Sequence, residues 1–142
     1  MSTAPPLYEG RQQLTSEWSL VLPFPMARRT EDGSLVFWHT PRGLTFWLNA
    51  YDGAPGRDGR GVLESWKDKR SSAAFDEIEE IDGELIRYAY RLDEGGDDGR
   101  LPSFYGYMAA PDGGHIFVAA YFDYPELLNA VLTTWRSFAW QD

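Results

Sequence analysis

The stretch Leu35-Val-Phe-Trp-His-Thr-Pro-Arg-Gly-Leu-Thr-Phe-Trp-Leu-Asn-Ala-Tyr51 decides the fold class. Two runs rich in aromatic and branched residues, 35–40 and 44–51, flank Pro41-Arg42-Gly43. A three-residue connection that contains glycine is what a bulged β-hairpin favours. Strand side chains alternate with period two, so Leu44, Phe46, Leu48 and Ala50 share one face while Thr45, Trp47, Asn49 and Tyr51 share the other. The first set is the expected core face.

The same logic places two further hairpins. Phe75–Ile81 and Glu84–Asp93 flank Asp82-Gly83, a strong two-residue turn signal. Residues 103–110 and 115–122 flank Pro111-Asp-Gly-Gly114, with Ile116, Val118, Ala120 and Phe122 on one face. An earlier strand, Glu17–Leu22, ends at Pro23-Phe-Pro25, where the prolines cannot donate to a ladder. Residues 52–61 and 94–100 are glycine-rich loops. Val62–Ser71 reads as a short helix resting on Val62, Leu63 and Trp66. A second helix starts at Asp123, capped through Glu126, and carries Leu128, Val131, Leu132, Trp135 and Phe138 on one stripe. Strands joined as hairpins pair antiparallel. The expected architecture is therefore α+β: a single twisted antiparallel sheet of about six to eight strands flanked by two helices, over residues 14–142, behind a flexible leader at 1–13.

That order, with the strand Trp18-Ser-Leu-Val-Leu-Pro23, paired hairpins and the closing helix Ala130-Val-Leu-Thr-Thr-Trp-Arg-Ser-Phe138, resembles the PsbP/Mog-like superfamily. The resemblance implies an α/β/α sandwich used mostly to bind other proteins, with bacterial members associated with secretion or toxin immunity. It implies no shared catalytic motif.

Composition narrows the function classes. With 43% hydrophobic and 25% charged residues, the chain has the balance of a folding domain and not of a disordered one. Twenty-two acidic side chains against thirteen basic ones give a net charge of −9, a field that repels phosphate backbones and anionic membranes. Nucleic acid and membrane are excluded as expected partners. No cysteine is present, which removes disulfides, thiolate metal sites and thiol nucleophiles. The sequence shows no signal segment and no long apolar run, so a cytoplasmic location is expected.

Chemistry-bearing patterns are sparse. His39 and His115 have no second ligand at a familiar metal spacing, and no G-x-S-x-G element occurs. Asp93–Gly99 clusters carboxylates as a calcium loop does, but its acids do not alternate and its twelfth position is Phe104. Residues 53–61 lack the Lys-Ser/Thr that closes a phosphate loop. No metal and no cofactor are expected.

Two surfaces remain. Trp38, Trp47 and Tyr51 lie on the central hairpin, and Trp and Tyr are the usual anchors of protein interfaces. Asp76, Glu77, Glu79 and Glu80 make an acidic run that either protects an edge strand or steers a basic partner. The sequence thus points to a non-enzymatic protein-binding domain with another protein, of basic character, as its partner. A homodimer closed by the aromatics is a further reading. The alternative is an enzyme or small-ligand binder with a pocket between sheet and helix, using carboxylates such as Asp52 or Asp123.

Overall fold

The hairpin at 35–51 forms in the register that its alternation requires: Phe37 pairs with Phe46, Leu35 with Leu48, and Trp38 with Thr45. The computed structural model that shows this describes residues 5–53, 56, 58–94 and 101–141. In chain order the elements are β1 (Arg11–Gln13), β2 (Trp18–Val21), β3 (Ala27–Glu31), β4 (Ser34–His39), β5 (Leu44–Tyr51), α1 (Gly59–Lys69), β6 (Phe75–Asp82), β7 (Leu85–Leu92), β8 (Ser103–Ala109), β9 (His115–Phe122), α2 (Leu128–Arg136) and β10 (Ala139–Trp140).

Seven strands form the main sheet in the order β3-β4-β5-β9-β8-β7-β6, and every described pairing is antiparallel. The chain leaves β5, third in that order, crosses with α1 to the far edge at β6, and meanders back through β7 and β8 until β9 pairs with β5 at the centre. The long stretch from β5 to β9 is closed by eight paired residues, from Leu44 opposite Phe122 to Tyr51 opposite His115.

The single sheet expected from the sequence is corrected here, because β1, β2 and β10 make a separate three-stranded sheet. Pro23 and Pro25 stop β2 from continuing into the main ladder, and its backbone pairs with β1 on one side and β10 on the other. Arg11–Gln13, within the stretch assigned to a leader, is the strand β1, and Tyr8 exchanges backbone hydrogen bonds with Met26 at 2.8 and 2.9 Å.

This small sheet and α2 cover one face of the main sheet. Trp18, Leu20, Val131, Trp135 and Phe138 bury themselves against Phe37, Phe46, Phe104, Met108 and Val118. Fully burying one such side chain stabilises the fold by about 1.5–3 kcal/mol, so this layer is the principal core. The predicted core set Leu44, Phe46 and Leu48 lies in it, while Ala50, at the strand end, is exposed.

Four local boundaries differ from the sequence reading. Helix α1 starts at Gly59 instead of Val62, because Asp58 caps it by accepting from the Gly61 N–H at 2.9 Å. Asp123 and Glu126 form no capping box; the chain makes a 3₁₀ turn at Pro125–Leu127 and α2 begins at Leu128 without a side-chain cap. Phe138 lies beyond the helix, which ends at Arg136 so that Ala139–Trp140 can pair with β2. The β6–β7 turn is centred on Gly83-Glu84, one residue later than Asp82-Gly83, with Gly83 at φ 61°.

Candidate protein-binding surface

The second face of the main sheet is aromatic. From the register, Trp38, Trp47, Phe117, Tyr121, Tyr105, Tyr107, Tyr88 and Tyr90 all project from it. Helix α1 packs over β7 and β8, with Leu63 buried against Tyr88 and Tyr90. Trp66 of the same helix packs on Tyr107 at 4.7 Å between ring centroids, with the rings tilted by 38°. Trp47 on β5 is two strands away from β8, and Trp38 on β4 is three. With strands about 4.8 Å apart, that is roughly 10–14 Å from the helix-covered half.

On this half Trp38 and Trp47 are half-buried and Tyr121 is 37% exposed. Val36 and Ala119, which flank Trp47 in the register, are nevertheless buried. Small residues between large rings are roofed by those rings, which leaves the outer surfaces of the indoles and phenols to solvent or to a partner. The Arg29 guanidinium lies 4.4 Å from the Trp38 ring centroid and pairs with Glu31 at 2.7 Å. Phe117 links the two halves: it stacks on Tyr105 at 5.9 Å with an interplanar angle of 8° and touches Tyr107 at 5.0 Å. At the other end of β5, Tyr51 is 51% exposed and stacks on His115, which also meets the Trp66 ring edge-on.

The structure therefore brings Trp38, Trp47 and Tyr51 onto one face. Sequence reading missed Phe117, Tyr121 and Tyr105, which complete it. Their signal was present in the alternation of β9, where Phe117, Ala119 and Tyr121 are the counter-phase of the core set.

The acidic run lies elsewhere. β6 is an edge strand, four strands away from β5, so the carboxylates and the tryptophans do not form one site. Three of the four acids are used within the molecule. Glu79 pairs with Lys67 at 2.6 Å and Glu77 with Arg70 at 2.9 Å, both toward α1, while Glu80 pairs with Arg136 of α2 at 2.8 Å. By accepting a hydrogen bond from it, the Glu79 carboxylate holds the Lys67 ammonium above its ordinary range. Alternation puts Glu77 and Glu79 on one side of the strand and Glu80 on the other, so the edge is clamped to both helices. Among the described residues Asp76 has no ion-pair partner.

The tyrosines beneath α1 are held neutral. Burial, reinforced by the Glu77 carboxylate that accepts from its hydroxyl, pushes Tyr88 up to about 12. Burial also raises Tyr107, whose hydroxyl shares a hydrogen bond with Tyr90 at 3.3 Å, and Tyr105, which donates to Glu94.

The two histidines serve the chain's own turns. His39 Nδ1 accepts from the Arg42 N–H at 3.1 Å, and His115 Nδ1 lies 3.1 Å from the Gly113 carbonyl oxygen. Among the described residues no three His, Asp or Glu side chains gather as a metal site. The calcium-loop pattern at 93–99 lies largely outside the described residues. No described helix is long and apolar enough to cross a membrane. No protein-family model matches the chain, and no curated protein matches it in sequence.

Proposed function

We propose that this chain is a non-enzymatic protein-binding domain of PsbP/Mog-like architecture, which docks a basic partner protein on the open half of its aromatic sheet face. The observation that carries the reading is the half-exposed array of Trp38, Trp47 and Tyr121, on a face whose other half is already occupied by α1. Rigid aromatic side chains contribute large contact area at low cost in conformational entropy, which is why they dominate interface energetics. The partner's basic character follows from the net charge of −9, which draws cations over long range. Steering falls to the molecule's overall field, since Glu77, Glu79 and Glu80 are already paired internally. A role beside a secreted toxin or a secretion component belongs to the same proposal and rests on the resemblance alone.

The test compares the native chain with a Trp38→Ala/Trp47→Ala variant as bait in lysate and secreted fractions, at low and high salt. A partner held by the native chain, lost by the variant by at least tenfold in affinity and slower to associate at high salt supports the reading. A partner retained equally by the variant overturns the assigned surface. A doubling of the light-scattering mass that the variant abolishes would assign the face to a second copy of the chain instead.

A further inference from the structure

The open half of the aromatic face has a gap in it. Thr45 pairs with Trp38 on one side and with Tyr121 on the other, and Trp47 follows two residues along β5 on the same face. Rings therefore wall Thr45 on three sides. It is only half-buried, whereas Val36 and Ala119, which flank Trp47 in the neighbouring row, are 0% and 3% exposed. Among the described residues no ring contact joins Trp38, Trp47 and Tyr121 to one another, although on the same sheet face Phe117 meets Tyr107 at 5.0 Å and Tyr105 at 5.9 Å. The three rings stand around Thr45 instead of closing over it.

Two strand spacings, roughly 10 Å, separate the backbones of Trp38 and Tyr121. Strand side chains stand about perpendicular to the sheet, so a group seated on Thr45 lies about 5 Å from each of these rings. That is inside the roughly 6 Å over which an aromatic face attracts a cation. Trp38 already holds one: the Arg29 guanidinium approaches it from β3, the side away from Thr45, and Glu31 balances that charge.

The fourth side is acidic. The Asp123 N–H donates to the Gly43 carbonyl oxygen at 2.9 Å, one step beyond the Leu44–Phe122 pair, and a Cβ on Gly43 would stand 2.7 Å from Asp123 Oδ2. The carboxylate thus lies over the residue two before Thr45, in room that a glycine leaves. Among the described residues Asp123 has no ion-pair partner. Arg42, next to Gly43, turns instead to Phe24, with its guanidinium 4.6 Å from that ring centroid.

We propose that Trp38, Trp47 and Tyr121, with Thr45 as floor and the Asp123 carboxylate on the fourth side, cage the trimethylammonium head of a methylated lysine on the partner protein, an assignment that rests on the open half being the docking surface. Aromatic faces and one carboxylate attract positive charge but offer few hydrogen-bond acceptors, since the strand carbonyls around Thr45 belong to the ladder. An unmodified lysine ammonium carries three donors and is strongly hydrated, so it loses water contacts that this cage does not replace. Trimethylation removes the donors and keeps the charge. A phosphocholine head would bring a phosphate beside Asp123 and into the field of a chain with net charge −9. The same field favours basic residues on either side of a methylated lysine, which free choline lacks.

The test is calorimetric titration of the full chain, at low salt, with the pentapeptide Gly-Arg-Lys-Arg-Gly, its lysine either trimethylated or unmodified, beside choline and phosphocholine. The trimethylated peptide is expected to bind saturably, about tenfold tighter than the unmodified one and tighter than choline, with phosphocholine weaker again. Thr45→Phe sets a ring in the gap, leaves Trp38 and Trp47 in place and is expected to abolish binding. Asp123→Asn is expected to weaken the trimethylated peptide about threefold. Should Thr45→Phe fail to fold, Tyr121→Leu removes one wall at an exposed position and is expected to weaken binding about fivefold. No saturable heat with the trimethylated peptide overturns the proposal, as does an unmodified peptide that binds as tightly, or binding unchanged in a folded Thr45→Phe. Choline as tight as the trimethylated peptide overturns the assignment to a protein lysine. A partner captured through Trp38 and Trp47 while the trimethylated peptide fails would sink the cage and leave the docking surface standing.

Discussion

Gly106 of β8 lies directly beneath the Trp135 indole of α2: a Cβ placed on it would stand 2.6 Å from Trp135 Cδ1 and 2.9 Å from Nε1. Phe104 Cε1 closes the same space at 2.9 Å. The glycine is what allows the largest buried side chain to seat against the sheet. Gly106→Ala lowers unfolded-state entropy, a gain of about 0.4–1 kcal/mol, but forces a fully buried ring to shift, a cost of about 1–3 kcal/mol. The cost wins. Urea denaturation is expected to show a lower midpoint with an unchanged m-value, whereas Gly33→Ala, where no atom lies within 4 Å but φ is 83°, tests backbone strain alone.

Arg87 stands on the main-core side of β7 with its side chain only 6% exposed, and its Nη2 donates to Asp82 at 2.9 Å and to the Arg136 carbonyl oxygen at 3.1 Å. Asp82 is 66% exposed, so solvent screens its half of the pair and a buried-pair energy does not apply. The cost of Asp82→Ala comes from leaving the Arg87 charge less compensated, and about 1–2 kcal/mol is expected. Arg87→Met removes the charge and keeps the packing stem, and is expected to be less destabilising than Asp82→Ala. If the methionine variant melts at a lower urea concentration than the alanine variant, the guanidinium contributes more through its bond to the Arg136 carbonyl than through Asp82.

These two sites mark what the sequence could and could not disclose. Period-two alternation in 35–51 sufficed to pair Phe37 with Phe46 and to set Trp38 and Trp47 on one face, because a one-residue slip would expose the whole core set. In β7 the same alternation divides Ile86, Tyr88, Tyr90 and Leu92 from Arg87, Ala89 and Arg91 without saying that the arginine-bearing side meets the larger core. That outcome depends on Gly106, Ala89 and Ala120 making room, which is a tertiary fact. The acidic run was visible, but its counter-ions Lys67, Arg70 and Arg136 come from elements distant in sequence. The register shift between Phe75 and Ile78 in β6 has no glycine to announce it, so it was illegible. β10 is two residues long and carries no periodicity at all.

Helix α1 roofs the tyrosine half of the aromatic face, and its start depends on Asp58. That residue is extended, at φ −107° and ψ −179°, and its Oδ1 accepts from the Gly61 N–H at 2.9 Å. Asp58→Ala is expected to cost about 1 kcal/mol and Asp58→Asn far less, since both native and amide oxygens cap well. Because Trp66 and Tyr107 are in contact only when α1 is seated, near-ultraviolet circular dichroism should lose aromatic signal before far-ultraviolet signal falls in the alanine variant. Coincident loss of both signals would show that α1 and the sheet unfold as one unit.

Alkali should attack the fold through the tyrosines under α1. Tyr88 is raised from its ordinary 10.0 to about 12, first by burial and then by the Glu77 carboxylate. Below pH 10 the phenol is neutral in folded and unfolded chains alike, so its contribution to stability is fully present. Above pH 10 the unfolded chain releases the proton first, stability falls with rising pH, and the loss is complete once the folded group also ionises near pH 12. A two-unit shift corresponds to a loss on the order of 3 kcal/mol from this one group. Tyr105 and Tyr107, raised chiefly by burial, add losses of the same sign. Tyr88→Phe is expected to cost about 1 kcal/mol at neutral pH through its bond to Glu77 while making the decline above pH 10 shallower. Urea midpoints measured from pH 8 to 11.5, with tyrosinate absorbance recorded in parallel, check both halves. An equally steep alkaline decline in Tyr88→Phe would move the effect from Tyr88 to its neighbours.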